Sequence, residues 1–318
     1  MMKRHRMLVL MDPGELDAQP EPALARAVFL ARKMNATLDL FVSEHASFLP
    51  AGAKSNPAGA SSGAGLQATQ ARTQAIAEAL SQQEQLTVAA DVVWCRHPVE
   101  AIMHRVCETR PDMVVKTVRH DSALKRTLFN YADWHLIRTC PSPLMLVKDQ
   151  GLWETRRVIA CVDPAHVHSR AEALDDVILE NARMLAYRLR GELHIFHAIE
   201  ILPEPAFRVL HPYSSYTEYG RTAAEEHHTL VEDLIRRFGI GYERVHYAVG
   251  SPADTLPEFA RALQASLVVM GAVSKGALEL LFIGNTAEKV LDALSCDVLV
   301  VKSTPVEARV KETECVAC

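Results

Sequence analysis

The sequence predicts an α/β protein built from two tandem copies of one domain, each a five-stranded parallel sheet flanked by helices. Three observations carry that expectation. An apolar run ending in Asp-Pro occurs twice, as Met7–Pro13 and as Val158–Pro164, with an offset of 151 residues between Asp12 and Asp163. Later landmarks keep an offset of 154, pairing His97-Pro98 with Ser251-Pro252, Asp112–Lys116 with Ser266–Met270, and Leu144–Lys148 with Val298–Lys302. Within each copy, short apolar runs alternate with longer stretches of helical period, the pattern of buried parallel strands joined by crossover helices. A repeat of this length sets the organisation of the whole chain. The first copy takes residues 1–150, the second 155–304, and 305–318 remain as a C-terminal tail.

Taken in order, the strands expected in the first copy are Met7–Met11, Thr37–Phe41, Val88–Trp94, Met113–Lys116 and Leu144–Val147. Those of the second are Arg157–Val162, Glu192–Phe196, Glu243–Tyr247, Leu267–Met270 and Val298–Val301. Leu24, Val28, Leu30 and Ala31, and again Val177, Ile178, Met184 and Leu185, recur at helical spacing and suit helices laid on a sheet. Pro50–Gly65 is a Gly, Ala, Ser and Pro tract without periodicity, read as a mobile loop before a Gln-rich helix starting near Leu66. The matching stretch Ile201–Tyr219 carries three prolines and several aromatic rings, and reads as a packed surface loop able to close over something apolar.

At 318 residues the chain has length for about two domains. Apolar residues make up 49% and charged residues 23%, an ordinary globular composition. With 34 basic and 39 acidic side chains the net charge is −5, which does not favour wrapping a polyanion, so no nucleic-acid partner is expected. The apolar run after the basic residues Met1–Arg6 is too short for a signal peptide or an anchor, so no membrane is expected either. Seven scattered cysteines lack the density of a disulfide scaffold and fit a reducing cytoplasm.

The segment Leu267–Val290, with Gly271, Ser274, Gly284, Asn285, Thr286 and Glu288, followed by Cys296–Lys302, resembles the C-terminal signature of universal stress proteins. Asp133-Trp134-His135-Leu136 and Cys140-Pro141-Ser142-Pro143 in the first copy extend the resemblance to the tandem-domain type and to nearly the whole chain. It implies two adenine nucleotide α hydrolase-like domains, packed through their last strands as an internal pseudo-dimer that could pair again as a homodimer. It also implies a cytoplasmic role in stress resistance, as sensor or regulator. Family members that bind ATP carry Gly, two residues, Gly, nine residues, then Gly followed by Ser or Thr. This chain has Gly271, two residues, Ser274, nine residues, Gly284 and Asn285, so two of the four positions depart.

A loop of this kind exposes backbone N–H groups, and the following helix N-terminus adds its positive end, so together they cradle phosphate oxygens. Gly271 and Gly284 allow close approach, whereas Ser274 puts a side chain where the family pattern has none. Asn285 has two readings: its amide and the Thr286 hydroxyl could meet a ligand, or Asn285 and Glu288 form a capping box. Asp163 ends the first strand of its copy, at the sheet edge where open α/β folds bind ligands, and by resemblance would contact adenine or ribose; the alternative is a turn residue before Pro164. For Asp12 the turn reading is preferred. Met270 completes the candidate ligand set of Asp163, Met270, Gly271, Ser274, Gly284, Asn285 and Thr286.

Between Lys116 and Phe129 the first copy has no glycine, and Thr117 stands where Gly271 stands, so its site reads as lost. Arg119, His120, Lys125 and Arg126 read as a solvated basic face. Cys315 and Cys318 supply half of a zinc site or a redox pair, and read as a frayed end. His227 and His228 point to different helix faces, poor geometry for one metal. No nucleophile elbow or Walker loop is present, so no catalytic group is assigned. The expected ligand is ATP or another adenine nucleotide, with no metal beyond a nucleotide-bound Mg. The competing expectation is an interaction or scaffold protein with an apolar or lipid-like ligand pocket under Leu202–Tyr219.

Overall fold

The computed structural model describes residues 5–16, 21–44, 61–121, 126–148, 151, 153–165, 169–272 and 285–303. The chain forms two compact units, the first from Met1–Arg119 with Phe129–Leu152, the second from His120–Leu128 with Trp153–Thr304.

In the first unit the elements are β1 (Arg6–Met11), α1 (Pro22–Met34), β2 (Thr37–Glu44), α2 (Ser61–Glu84), β3 (Val88–Trp94), α3 (Pro98–Thr109) and β4 (Met113–Thr117). Next along the chain comes a short two-stranded ribbon of β5 (Arg119–Asp121) and β6 (Arg126–Leu128), which from His120 on belongs to the second unit; α4 (Tyr131–Thr139) and β7 (Leu144–Val147) then complete the first. The main strands pair in the order β7-β4-β1-β2-β3, all parallel. The second unit contains β8 (Arg157–Cys161), α5 (Ser169–Leu189), β9 (Glu192–Ile199), α6 (Glu204–Leu210), α7 (Tyr216–Phe238), β10 (Val245–Val249), α8 (Pro252–Ala262), β11 (Leu267–Gly271), α9 (Asn285–Ala293) and β12 (Asp297–Val301). Its order is β10-β9-β8-β11-β12, again parallel throughout.

The apolar runs become strands because crossover helices cover them, leaving few positions for polar side chains. Met7, Leu8 and Val9 of β1 and Leu267, Val268 and Val269 of β11 are fully buried. On α5 the buried stripe is Leu174, Ile178, Ala182, Leu185 and Leu189, steps of three and four that keep one face against β8, β9 and β11. Val177 and Met184, chosen by period from the sequence, flank that stripe half-buried, as do Leu24 and Val28 on α1.

The sheet order creates one special place in each unit. From β8 the chain crosses to β9 on one side, whereas β11 lies on the other side of β8, so the crevice between the C-terminal ends of β8 and β11 is a topological switch point. The equivalent crevice in the first unit lies between β1 and β4.

Three expectations need correction. Ile201–Tyr219 is not a loop: it holds α6 and the start of α7, because Glu204–Leu210 wraps Phe207 inward, 3% exposed and stacked on Tyr219 at 4.6 Å. Ser215 then caps α7 by accepting from the Glu218 N–H. The Gln-rich helix starts at Ser61 rather than near Leu66; Pro50 to residue 60 lie outside the described residues. The third strand of the second unit starts at Val245, two residues late, because Tyr242–Arg244 first make a 3-10 turn.

Candidate ligand site at the second switch point

β8 delivers Asp163 to the crevice with its side chain exposed. The strand is held to its end: the Val162 N–H donates to the Phe196 carbonyl at 3.1 Å. The next peptide unit is gripped by side chains. His197 of β9 donates from Nδ1 to the Val162 carbonyl at 2.9 Å, and the Asp163 N–H donates to Asp175 Oδ1 of α5 at 3.0 Å. Asp175 is 3% exposed and its Oδ2 is buried without a hydrogen bond. Burial pushes its carboxyl up to about 7, reinforced by the charges of Asp163 and Asp176, while the Asp163 N–H and Arg237 pull it back. Burial holds His197 below the usual histidine range, against the Val162 carbonyl and Asp163, with His227 and His228 pushing the same way as burial.

Across the crevice, β11 ends in buried Met270 and half-buried Gly271. A Cβ at Gly271 would stand 2.5 Å from Leu174 Cδ2 and 2.9 Å from its Cγ. Packing of Leu174 therefore demands glycine here, a reason distinct from phosphate approach. Asn285 is the first residue of α9 and Thr286 is exposed beside it. The side chain of Asn285, and with it the choice between ligand contact and capping box, lies outside the described residues. Ser274 and Gly284 lie outside the described residues, as do Cys315 and Cys318.

The first unit fills the same place with its own side chains. Thr117 stands at the end of β4; its hydroxyl donates to Glu21 Oε1 at 2.5 Å and accepts from the Ala23 N–H at 2.9 Å. The pair Ala23 and Thr117 is replaced in the second unit by Leu174 and Gly271, small and large exchanging places across the crevice. Lys116 ion-pairs with Asp133 at 2.6 Å, and Asp133 closes a capping box with Asn130 at the start of α4. The carboxylate of Asp12 accepts from the Gly14 N–H, so Asp12 is the turn residue expected of it.

Sequence reasoning missed Leu174, Asp175 and His197. The signal available was an acidic residue on the buried stripe of α5 and a histidine inside an apolar strand. His227 and His228 do go separate ways: His227 Nδ1 lies 2.6 Å from His197 Nε2, and the His228 ring lies 4.0 Å from that of Tyr247. Among the described residues no group of three His, Cys, Asp or Glu could hold a metal ion, and no cysteine is in a disulfide. No described helix is long and apolar enough to cross a membrane.

The sequence pattern of the universal stress protein family matches residues 3–148 and again 154–302. The chain belongs to the universal stress protein family. Universal stress protein E of Escherichia coli K12 is 30% identical over 315 residues, covering 95% of this chain and 96% of that protein. Universal stress protein E of Salmonella typhi is 31% identical over 308 residues with the same coverage. The crystal structure of a putative universal stress protein from Pseudomonas aeruginosa UCBPP-PA14 superposes with a TM-score of 0.74 over 99% of this chain and 98% of that one, at 23% identity, a likeness of fold. This universal stress protein is thus a tandem one, with an α/β domain in each half.

Proposed function

We propose that this universal stress protein is a cytoplasmic regulator of stress resistance that binds one adenine nucleotide per chain at the switch point of its second unit. It acts by reporting occupancy to a partner, not by turning the ligand over. The observation that carries this reading is the difference between the two crevices. In the first, Thr117, Glu21 and the Ala23 N–H satisfy one another. In the second, Gly271 stands in place of Thr117 without a side chain; Asp163 is exposed at the end of β8, as Asp12 is at the end of β1, and the N-terminus of α9 carrying Thr286 follows the loop in sequence order. An exposed carboxylate accepts hydrogen bonds from an amino group or ribose hydroxyls, and a helix N-terminus suits an anion, with or without its Mg. Ser274 and Gly284, with Asn285 at the start of α9, are proposed to complete the site.

Native mass spectrometry of the full chain freshly purified from cells tests this. A mass excess of one nucleotide is expected, together with calorimetric ATP binding that Asp163→Ala weakens about ten-fold. Bare protein with no ATP binding at about millimolar concentration overturns it. A second reading, an interaction protein for an apolar ligand or partner, is favoured by Leu174 filling the space beside Gly271 and by the exposed side chains of Val209, Leu210 and Tyr213. An adduct of lipid-like mass in the same spectra would support it instead.

A further inference from the structure

One peptide unit at the ligand edge is gripped from both sides by buried titratable side chains. The carbonyl of Val162 and the N–H of Asp163 belong to the same planar group and point in opposite directions. His197, 1% exposed, takes the carbonyl, and Asp175, 3% exposed, takes the N–H. Either partner could have been a neutral amide or a backbone group. Both are instead able to gain or lose a proton in a place where water cannot compensate.

The hydrogen-bond pattern assigns the proton positions. A carbonyl oxygen only accepts, so His197 Nδ1 carries hydrogen. In the neutral ring Nε2 is then a lone pair, and His227 Nδ1, 2.6 Å away, must donate to it. This histidine pair has room for one extra proton, since a second would set N–H against N–H. His197 keeps its Nδ1 hydrogen in the neutral ring and in the protonated one, so its grip on the carbonyl does not change with pH. Asp175 behaves differently. As a carboxylate it accepts a charge-assisted bond from the Asp163 N–H, about twice as strong as the neutral bond it accepts once protonated. Its proton would go to Oδ2, the atom without a partner.

We propose that His197 and Asp175 are positioning residues that make the placement of Asp163 depend on protonation. His197 anchors the carbonyl side of the Val162–Asp163 peptide, and Asp175 grips or slackens the N–H side as it loses or gains a proton. The charged and titratable groups facing this clamp come from four elements. α5 supplies Asp176, which ion-pairs with Arg237 of α7 at 3.1 Å; α7 also supplies His227, His228 and Glu232, the last acting on Tyr247. β10 supplies Tyr247, edge-on to His197 at 6.3 Å, and the end of β8 supplies Asp163 itself. The Asp176–Arg237 pair offsets its own charge, so the negative field on Asp175 comes chiefly from Asp163, the residue it positions. A tighter ligand contact at high pH is the consequence for affinity, and that consequence alone rests on reading this edge as the nucleotide site.

The test follows the Asp163 amide of the isotopically labelled full chain by NMR from about pH 5.5 to about pH 8.5. The resonance is expected to titrate with a midpoint near that of the Asp175 carboxyl carbon, about 7, the amide proton moving downfield at the high-pH end. Asp175→Asn keeps an acceptor oxygen and should flatten the curve; His197→Asn keeps a donor at the Nδ1 place and should leave it. A flat wild-type curve, or an Asp175 carboxyl carbon titrating at the ordinary value near 4, overturns the proposal without any variant. Adenosine, neutral and without a titrating group in this range, then probes the site. It should bind about five-fold more tightly at about pH 8 than at about pH 6 in the native chain, and equally in Asp175→Asn. A titrating amide with no adenosine binding at either pH upholds the clamp and sinks the nucleotide reading. Adenosine binding without pH dependence, beside a flat amide, does the reverse.

Discussion

Asn in place of Asp175 should make the stability of the second unit far less sensitive to pH. The carboxyl has its folded value at about 7 against an ordinary 3.8, a rise of about three units, which corresponds to about 4 kcal/mol. A raised carboxyl means that the folded chain holds the proton more tightly than the unfolded chain. Its contribution is therefore fully present below about pH 4 and is lost progressively as pH rises to about 7, after which the cost is constant. The bond from the Asp163 N–H offsets only part of the cost of burying the charge. Asparagine retains the acceptor for that N–H but puts an amide nitrogen where Oδ2 now lies unpartnered, costing about 1–3 kcal/mol at every pH. That penalty cancels when two pH values are compared. Between about pH 4 and about pH 8 the native chain should lose about 4 kcal/mol more than the variant, every other titrating group being common to both. Urea unfolding at the two pH values, with hydrogen exchange of the β8 amides reporting on the second unit by itself, measures the difference. Parallel pH dependence in the two proteins would refute the reasoning, because it would mean that Asp175 is ionised in the fold at an ordinary cost.

Two further outcomes follow from the crevices. Gly271→Ala should cost about 1–3 kcal/mol, since the new Cβ meets Leu174 at 2.5 Å, and Leu174→Ala should recover most of that loss in the double variant although it costs about 2–4 kcal/mol alone; strictly additive effects in the urea midpoints would show that the two residues do not compete for one space. Lys116→Met should destabilise the first unit by about 3 kcal/mol, because it strips the cation from Asp133, 2% exposed, which lies 2.6 Å from it; a thermal midpoint unchanged within about one degree would show that the pair contributes nothing.

Most of the fold is legible in the sequence because its signals are local. Val88–Trp94 and Leu144–Val147 begin and end where apolar run and flanking polar residues place them. Leu267 and Val298 repeat Met113 and Leu144 at one offset, so a second copy of the same strands needs no tertiary information. The aromatic stretch after β9 misled for an equally local reason. Prolines at 203, 205 and 212 read as loop, yet Pro203 and Pro205 stand at the very start of α6, where a missing N–H costs nothing.

What the sequence by itself determined is the class, the repeat, the strand positions and the family, all written in patterns shorter than one element or in strict recurrence. Asp163 and Gly271 could also be named, since the ends of parallel strands are where such folds bind. Only the tertiary structure decided why each stands where it does. Gly271 is glycine because Leu174 reaches it, and Asp163 is held because Asp175 and His197 close on a single peptide from positions 12 and 35 residues away along the chain. Such contacts join elements that meet only after the sheet has formed, and the periodic pattern that marks Asp175 and His197 as buried does not say which group each one meets.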